Sequence, residues 1–229
     1  MRALQQAWAW LTDPAHWSGP SGIGARLVEH LGYSALAVVL AALVAVPMGL
    51  VVGHTGRGRA LAVGLTGALR ALPSLGVLTL LAVSLGLGLR QALVPATLAL
   101  VVLAVPPLLA ATYAGVEAVP DEVVDGARAT GLREIDIALR VELPLAAPLV
   151  VGGVRSAVLQ VIATATISAF LGLGGLGRFI LDGLAVRDYA QMLGGAILVT
   201  GLALVVDGVF QVLARVVVPR GVRVALHGT

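Results

Sequence analysis

Five apolar stretches, each about as long as a membrane span, constrain what this chain can fold into. A helix needs about 20 apolar residues to cross a bilayer, and such stretches lie at 31–53, 61–89, 93–116, 148–170 and 189–214. Because lipid cannot pair with backbone polar groups, these stretches are expected to be helical. The sequence therefore predicts an all-α integral membrane protein with about five transmembrane helices. The second stretch predicts one helix broken near Pro73, or a short re-entrant turn before the span.

Composition supports the membrane class and excludes several kinds of chemistry. Only 12% of the 229 residues are charged, against about a quarter in soluble domains. There is no cysteine, so disulfides and thiolate ligands are excluded. All 15 basic residues are arginines, so the lysine of a phosphate-binding loop is missing and any ATP must be bound by another chain. No catalytic or metal-ligand pattern and no basic stripe for nucleic acid occurs, which predicts a non-enzymatic protein without cofactor or metal.

The regions outside the spans indicate an orientation. In the N-terminal segment, residues 1–30, Trp8, Trp10 and Trp17 predict an interfacial anchor, with an aromatic ligand cage as the alternative. Residues 31–215 form the expected transmembrane domain, and residues 216–229 a short tail. Eight arginines lie on the side of the loop after the third span and five on the other. The excess places that loop and the C-terminus in the cytoplasm, and the N-terminus outside.

The loop after the third span, residues 117–144, holds seven of the chain's twelve acidic residues and is called the central segment below. Pro120 followed by two acidic residues predicts a helix start, and Gly131 is the natural stop. Along this first helix the spacing predicts one shared face for Val123, Ala127 and Thr130.

A second short helix is expected over residues 132–143. Leu132, Ile135, Leu139 and Leu143 recur at helical spacing and form its apolar stripe, and Pro144 is expected to end it. Helices this short are not stable alone. The stripe therefore needs the membrane surface, the spans or another protein to cover it.

The central segment also carries a spaced motif. Asp125-Gly126-Ala127, three residues, Gly131, nine residues, Val141-x-Leu143-Pro144 resembles the EAA loop of binding-protein-dependent ABC importer permeases, Glu-Ala-Ala, three residues, Gly, nine residues, Ile-x-Leu-Pro. Asp125, Gly126 and Val141 depart from that pattern. The resemblance implies that the segment is a coupling helix seated on a cytoplasmic ATPase through Asp125, Gly126, Ala127, Gly131, Val141, Leu143 and Pro144. The alternative is an amphipathic loop lying on the bilayer.

Further segments resemble the osmoprotectant branch of that family, which imports glycine betaine, carnitine, choline and similar quaternary amines. They are Leu72-Pro73-Ser74, Thr112-Tyr113-Ala114-Gly115, Gly153-Val154-Arg155, Ala165-Thr166 and Gly174-Gly175-Leu176-Gly177. Ala110-Ala111 departs from the branch, where an arginine–asparagine pair is expected in many members.

The resemblance implies a multi-pass permease subunit in the bacterial cytoplasmic (inner) membrane. Its implied partners are a second permease subunit, two cytoplasmic ATP-binding subunits, an extracytoplasmic solute-binding protein and membrane lipid. The alternatives are a permease for another small solute, such as methionine or a sulfonate, and an ion-coupled secondary carrier.

A glycine-rich stretch between the last two spans, residues 171–184, has the spacing Gly172-x-Gly174-x-x-Gly177. A dinucleotide site would need a preceding strand and a later acidic residue, and an apolar span precedes it here. We expect instead an outer glycine turn at Gly172, Gly174, Gly175 and Gly177, which could receive a binding protein.

Polar residues inside the spans are the remaining candidates. Arg70, Arg155 and Asp207 carry charge at membrane depth, where each needs a partner or water, so Asp207 is expected to pair with Arg155 or Arg70; snorkelling of an arginine is the alternative. A second set either lines a substrate pathway or bonds neighbouring helices: Pro73, Ser74, Gln160, Thr164, Thr166 and Ser168.

Overall fold

The computed structural model describes residues 2–217, except the side chains of residues 89 and 215–217. Over this range the secondary structure is helical, with no strand, which confirms the all-α prediction. The α-helices are α1 (Arg2–Thr12), α2 (Ile23–Thr55), α3 (Arg59–Ala71), α4 (Ser74–Leu85), α5 (Leu93–Glu117), α6 (Asp121–Ala129), α7 (Glu134–Ile137), α8 (Leu143–Thr164), α9 (Gly177–Val186) and α10 (Tyr189–Val217). Three 3₁₀ turns occupy Pro14–His16, Leu89–Gln91 and Ala165–Leu171, and a π-helical turn occupies Ala138–Glu142.

The described helices account for the predicted spans. Four are long and apolar enough to cross a membrane, namely Ile23–Thr55, Leu93–Glu117, Glu134–Leu171 and Tyr189–Ala214. Helices α3 and α4 count as a fifth span only together, because they are bent by 92° at the intervening break. Pro73 lies at that break, where it has no N–H to donate and restricts the residue before it. The bend fits both the broken span and the re-entrant turn expected from the sequence.

The predicted helix end at Pro144 is wrong. The helix continues from Glu134 through the π turn into α8, so the fourth span begins well before residue 148. A proline lacks the N–H that bonds four residues back, and its ring crowds that carbonyl. The π turn ends at Glu142, two residues before Pro144, and the Leu143 N–H that closes it donates to the Ala138 carbonyl, five residues back. This wider ladder accommodates the ring without ending the helix.

Packing divides the described chain into two units, and unit 1 combines residues 2–39, 72–103 and 158–206. One of its cores joins the buried side chains of Leu11, Ile23, Ile162, Leu176, Phe179 and Leu202. Trp10 packs edge-on against Phe179 with ring centroids 5.2 Å apart, whereas Trp8 and Trp17 are exposed. Trp10 is therefore partly buried against this core, and two of the three tryptophans remain available for the predicted interfacial anchor.

Unit 2 combines residues 40–71, 104–157 and 207–217, and small residues bring its helices close together. A Cβ placed on Gly49 of α2 would lie 2.6 Å from the Cβ of Thr112, and one on Gly53 would lie 2.6 Å from the Cβ of Val116, both on α5. A Cβ on Gly153 of α8 would collide with the Ala111 methyl group. Close approach of backbones through glycine is typical of helix packing in lipid, where van der Waals contact replaces the hydrophobic effect.

The adjacent glycines of α8 allow a matched test of this packing. Gly153→Ala is expected to destabilise the protein by about 1–3 kcal/mol, because the backbone of α5 must move to make room. Gly152 meets no atom within 4 Å, so Gly152→Ala is expected to be neutral or to stabilise the helix by up to about 1 kcal/mol. Thermal unfolding of the purified variants in detergent measures both effects, and equal shifts would contradict the close contact.

Candidate functional site

The central segment folds as the sequence predicts up to its first turn. Pro120 precedes α6, whose first turn contains Asp121 and Glu122, where the helix dipole favours negative charge. After α6, Gly131 has a φ of +84°, a left-handed conformation that ends helices and favours glycine. The Gly131 N–H donates to the Arg128 carbonyl at 2.9 Å, and the chain then enters α7 at Glu134.

The inner face of the central segment differs by one position from the prediction. Val119, Val124 and Ile137 form a buried cluster, against which Ala127 and Val141 pack. Val123 and Thr130, predicted to share one face with Ala127, are both exposed. Since neighbouring positions on a helix lie about 100° apart, the sequence alone did not resolve which valine turns inwards.

The predicted apolar stripe lies on the surface, although the second helix begins at Glu134 and Leu132 precedes it. Leu132, Ile135 and Leu139 are exposed, Ile135 by 57%, and Val123 is exposed as well. Leu143, beyond the π turn, is partly buried and does not continue the stripe in the same way. Several large apolar side chains exposed together on a polar segment are typical of an interaction surface.

Ion pairs hold the outer polar face of the central segment in shape. Arg128 donates to Asp125 at 3.0 Å and to both carboxylate oxygens of Glu134, at 2.9 and 3.1 Å. The hydrogen bonds that the Arg128 guanidinium donates, first to Glu134 and then to Asp125, raise its pKa above the ordinary value, so it remains charged. Asp136 pairs with Arg133 at 2.8 Å and with Arg140 at 3.5 Å. Asp125 of the motif thus takes part in the joint between α6 and α7.

The other motif residues take separate places. Ala127 and Val141 contact the inner cluster, and Gly131 forms the turn. Gly126 is exposed, and a Cβ added to it would have no other atom within 4 Å. Leu143 and Pro144 lie in the continuous helix. The segment therefore has an inner face, whose side chains pack against the buried cluster, and an outer face, whose side chains are exposed.

A histidine with no motif around it in the sequence joins the end of α2 to the central segment. His54 Nδ1 lies 2.7 Å from Glu142 Oε2, and His54 Nε2 lies 3.0 Å from Glu134 Oε2. The Glu142 side chain is only 5% exposed and that of His54 11%. Nearby, Arg59 at the start of α3 pairs with Glu117 at the end of α5. Sequence reasoning missed His54, since its partners lie about 80 residues along the chain and no local pattern marks it.

The predicted intramembrane ion pair is present between α8 and α10. Arg155 Nε and Nη2 donate to the two carboxylate oxygens of Asp207 at 2.6 and 2.8 Å, and Gln211 adds a bond to Asp207 at 2.9 Å. Two parallel bonds from a guanidinium to a carboxylate fix orientation as well as charge. The pair satisfies both charges inside the apolar helices, as the hydrocarbon core requires.

Arg70 is placed differently from Arg155. It lines an open cavity of about 500 Å³ together with Pro107, Ala110, Ala111 and Gly153, among others. Within the described part of the chain it makes no ion pair, so Asp207 is the partner of Arg155 and not of Arg70.

The polar residues around the end of α8 do not form one site, because the side chains that form hydrogen bonds have separate partners. Gln160 donates its amide to the Leu103 carbonyl of α5 at 2.9 Å, which is the interhelical role that the sequence left open. The Thr164 and Thr166 hydroxyls donate to backbone carbonyls four and three residues earlier in the chain. Ser168 is buried, and its hydroxyl has no hydrogen-bond partner among the described residues. Pro73 and Ser74 lie at the break between α3 and α4.

The outer glycine turn is fastened to the first part of α2. The Gly175 N–H donates to Glu29 Oε2 at 2.8 Å, and Arg26 donates to the same oxygen at 2.9 Å. His30 is fully buried, with Nε2 2.9 Å from the Ile162 carbonyl and Nδ1 accepting the Leu176 N–H. Gly172 and Gly175 have φ values of +80° and +85°.

The rest of the stretch between the last two spans is a helix and not a loop. Gly177 begins the helix α9, in which Arg178 and Asp182 pair at 2.9 Å. An added Cβ at Gly174 would collide with the Glu29 carboxylate, and one at Gly177 with the Thr166 backbone. These glycines therefore serve close packing. The described residues contain no cluster that could hold a metal ion.

Fold and site together define a multi-pass helical membrane protein with one dense polar segment between its apolar helices. The chain belongs to the family described as binding-protein-dependent transport system inner membrane component, whose sequence profile matches residues 27–221. It is thus an inner-membrane transport subunit.

Comparison with individual proteins agrees with this assignment. The chain is 37% identical to the choline transport system permease protein OpuBB of Bacillus subtilis (strain 168) over 86% of its own length and 89% of that protein. It is 36% identical to the glycine betaine/carnitine/choline transport system permease protein OpuCB of the same organism, over 85% and 88%. The osmoprotectant import permease protein OsmW of Salmonella typhimurium is 32% identical, over 85% and 91%.

Among solved structures, the inward-facing MetNI methionine ABC transporter superposes with a TM-score of 0.73 at 20% identity. The match covers 86% of this chain and 96% of the matched chain. At this identity the likeness establishes the fold of an ABC transporter membrane subunit and does not extend to the solute.

The Arg155–Asp207 pair can be tested by exchanging its charges. Arg155→Asp and Asp207→Arg are each expected to lower the yield of folded protein, because each leaves two like charges facing one another at membrane depth. The double exchange should restore most of the lost yield. Size-exclusion chromatography of detergent extracts measures the folded fraction. A double variant no better than either single one would show that the two residues do not stabilise the fold as a pair.

Proposed function

We propose that this chain is the permease subunit of an ATP-driven importer for quaternary-amine osmoprotectants such as glycine betaine, carnitine or choline. The proposal rests on the exposed apolar and charged face of the central segment, in a chain whose curated relatives carry these solutes in their names. Methionine or sulfonate uptake has less support, because the methionine transporter shares only 20% identity with this chain.

In this proposal the central segment is the cytoplasmic coupling element. The stripe of Leu132, Ile135 and Leu139 enters a groove on the ATPase, and the ion pairs around Arg128 keep α6 and α7 in one arrangement. Burial of such a stripe against a partner stabilises the complex by the usual hydrophobic contribution. Because the second helix of the segment continues without interruption into the fourth span, a movement of the ATPase reaches that span directly.

The partners follow from the missing parts. The chain has no lysine and hence no phosphate-binding loop of the usual kind, so two separate ATP-binding subunits hydrolyse ATP. A second permease subunit, identical or related, completes the pathway, and an extracytoplasmic solute-binding protein delivers the solute to the side that carries the outer glycine turn, Gly172 to Gly177.

The substrate pathway is proposed to pass two helix breaks, both of which lie at residues of unit 1. One break lies at Pro73 and Ser74, and the other lies where α8 gives way to a 3₁₀ turn between Thr164 and Ser168. Broken helices free backbone groups to contact a solute and mark the binding sites of many transporters. Gln160, one turn earlier, holds α8 against α5 through Leu103 and supports the second break.

Reconstitution separates this function from that of an ion-coupled carrier. Proteoliposomes containing the permease, its ATPase and its binding protein are expected to accumulate labelled glycine betaine, carnitine or choline only when ATP is enclosed on the ATPase side. Uptake by the permease alone, driven by a sodium or proton gradient, would overturn the proposal. Uptake of methionine or a sulfonate in place of all three amines would retain the importer and replace its substrate.

The coupling role of the central segment is tested by Asp125→Arg. The new cation faces Arg128, so the joint between α6 and α7 loses its order, and transport per ATP hydrolysed is expected to fall at least tenfold while membrane insertion is unchanged. Asp182→Arg is the matched control, because it reverses an exposed aspartate paired with an arginine one turn away in α9. Co-purification of the ATPase gives a second measurement. Equal retention of ATPase and transport in both variants would contradict the coupling role.

A further inference from the structure

His54 lies between two carboxylates that come from different turns of the central segment. Its ring nitrogens lie 2.7 Å from Glu142 and 3.0 Å from Glu134. A neutral imidazole has a single N–H donor, while an ionised carboxylate can only accept. Both short contacts can be hydrogen bonds to ionised carboxylates only when the ring carries two protons. The arrangement is therefore suited to an imidazolium.

Burial adds weight to this protonation state. Glu142 is 5% exposed, and its only hydrogen-bond or ion-pair partner among the described residues is His54. A carboxylate removed from water needs a charged partner, and removing that partner is strongly unfavourable. Glu134, which is largely exposed, shares its charge between His54 and Arg128.

These ion pairs form a continuous chain from the surface to the membrane helix. Asp125 bonds Arg128, Arg128 bonds Glu134, Glu134 meets His54, and His54 meets Glu142. His54 belongs to the last turn of α2, and Glu142 is the last residue of the π turn. The exposed face of the central segment is thus tied to the first long helix as well as to the fourth span.

We propose that His54 is a positioning residue for energy coupling, whose protonated ring fixes the central segment to the end of α2. This inference rests on the proposed function, because it concerns the segment that is proposed to contact the ATPase. While both carboxylates are bonded to the ring, a displacement of the segment moves α2 and α8 together. When the bond to one carboxylate breaks, the segment moves on its α8 connection alone, and ATP is hydrolysed without full movement of α2.

Three variants test the proposal in the reconstituted transporter. His54→Gln offers one amide donor and sets its oxygen against the other carboxylate, so transport per ATP should fall about tenfold, the effect of losing one charge-assisted hydrogen bond. His54→Arg, which has several donors and a permanent charge, should keep the coupling. Glu134→Gln alters an exposed residue, so it should fold, and it should reduce coupling in the same direction.

The control is His16→Gln, which removes a histidine of unit 1 and should leave transport per ATP as in the unaltered protein. Wild-type coupling in His54→Gln and Glu134→Gln would overturn the proposal. Loss of coupling in His54→Arg as severe as in His54→Gln would also overturn it, since size and not charge would then matter.

A distance measurement separates failure of this inference from failure of the proposed function. The chain has no cysteine, so spin labels at Thr55→Cys and at Glu122→Cys, an exposed position outside the apolar stripe, report the separation of α2 from the central segment. In the assembled transporter the distance distribution should be narrow with the original His54 and with His54→Arg, and it should be broad with His54→Gln. A distribution that is as narrow with His54→Gln as with the original residue overturns the role of His54, whether or not the solute has been identified correctly.

Discussion

Lipid can neither solvate a charge nor pair with a free backbone group, and this one constraint orders the whole chain. It requires helices throughout the apolar stretches and drives most charged residues to their ends. The exceptions show the same constraint at work: Arg155 and Asp207 lie within long helices and neutralise one another through two hydrogen bonds. The dense polar segment between α5 and α8 cannot enter the hydrocarbon at all, so it must meet water or another protein.

Glycine and alanine do in this protein what large apolar residues do in a soluble core. Burial of apolar area gives little net attraction between helices that lipid already surrounds, so the helices are held by close contact and by a few polar links. Gly153 against Ala111 is one such contact, and the Gln160 amide on the Leu103 carbonyl is one such link. Each constrains a single pair of helices, which leaves room for the helices to move relative to one another during transport.

The sequence predicted the parts of the fold that depend on local composition. Apolar length located the spans, proline located the 92° bend near residue 73, and the glycine at 131 located a turn. The predictions failed where a local sequence rule was overridden by the surrounding structure. Pro144 does not end its helix because a π turn precedes it, and Val124 faces inwards in place of Val123 because the packing of Val119 and Ile137 decides the rotation of α6.

The candidate site divides in the same way. The motif around Asp125 and Gly131 was visible as a spacing, and the Asp207 pairing followed from the cost of an unpaired charge. His54 was not visible, because its significance comes from two glutamates that are far away in sequence and close only in the fold.

The π turn changes how the motif spacing should be understood. The nine residues between Gly131 and Val141 contain most of that turn, which holds about one residue more than an ordinary helical turn. Each residue advances an α-helix by about 100°. Removing one residue from this interval would therefore rotate the exposed stripe of Leu132, Ile135 and Leu139 by more than a quarter turn about the axis of the fourth span. A fixed count of residues thus acts as a fixed angle, and length variation here alters the direction in which the surface points while leaving its composition intact.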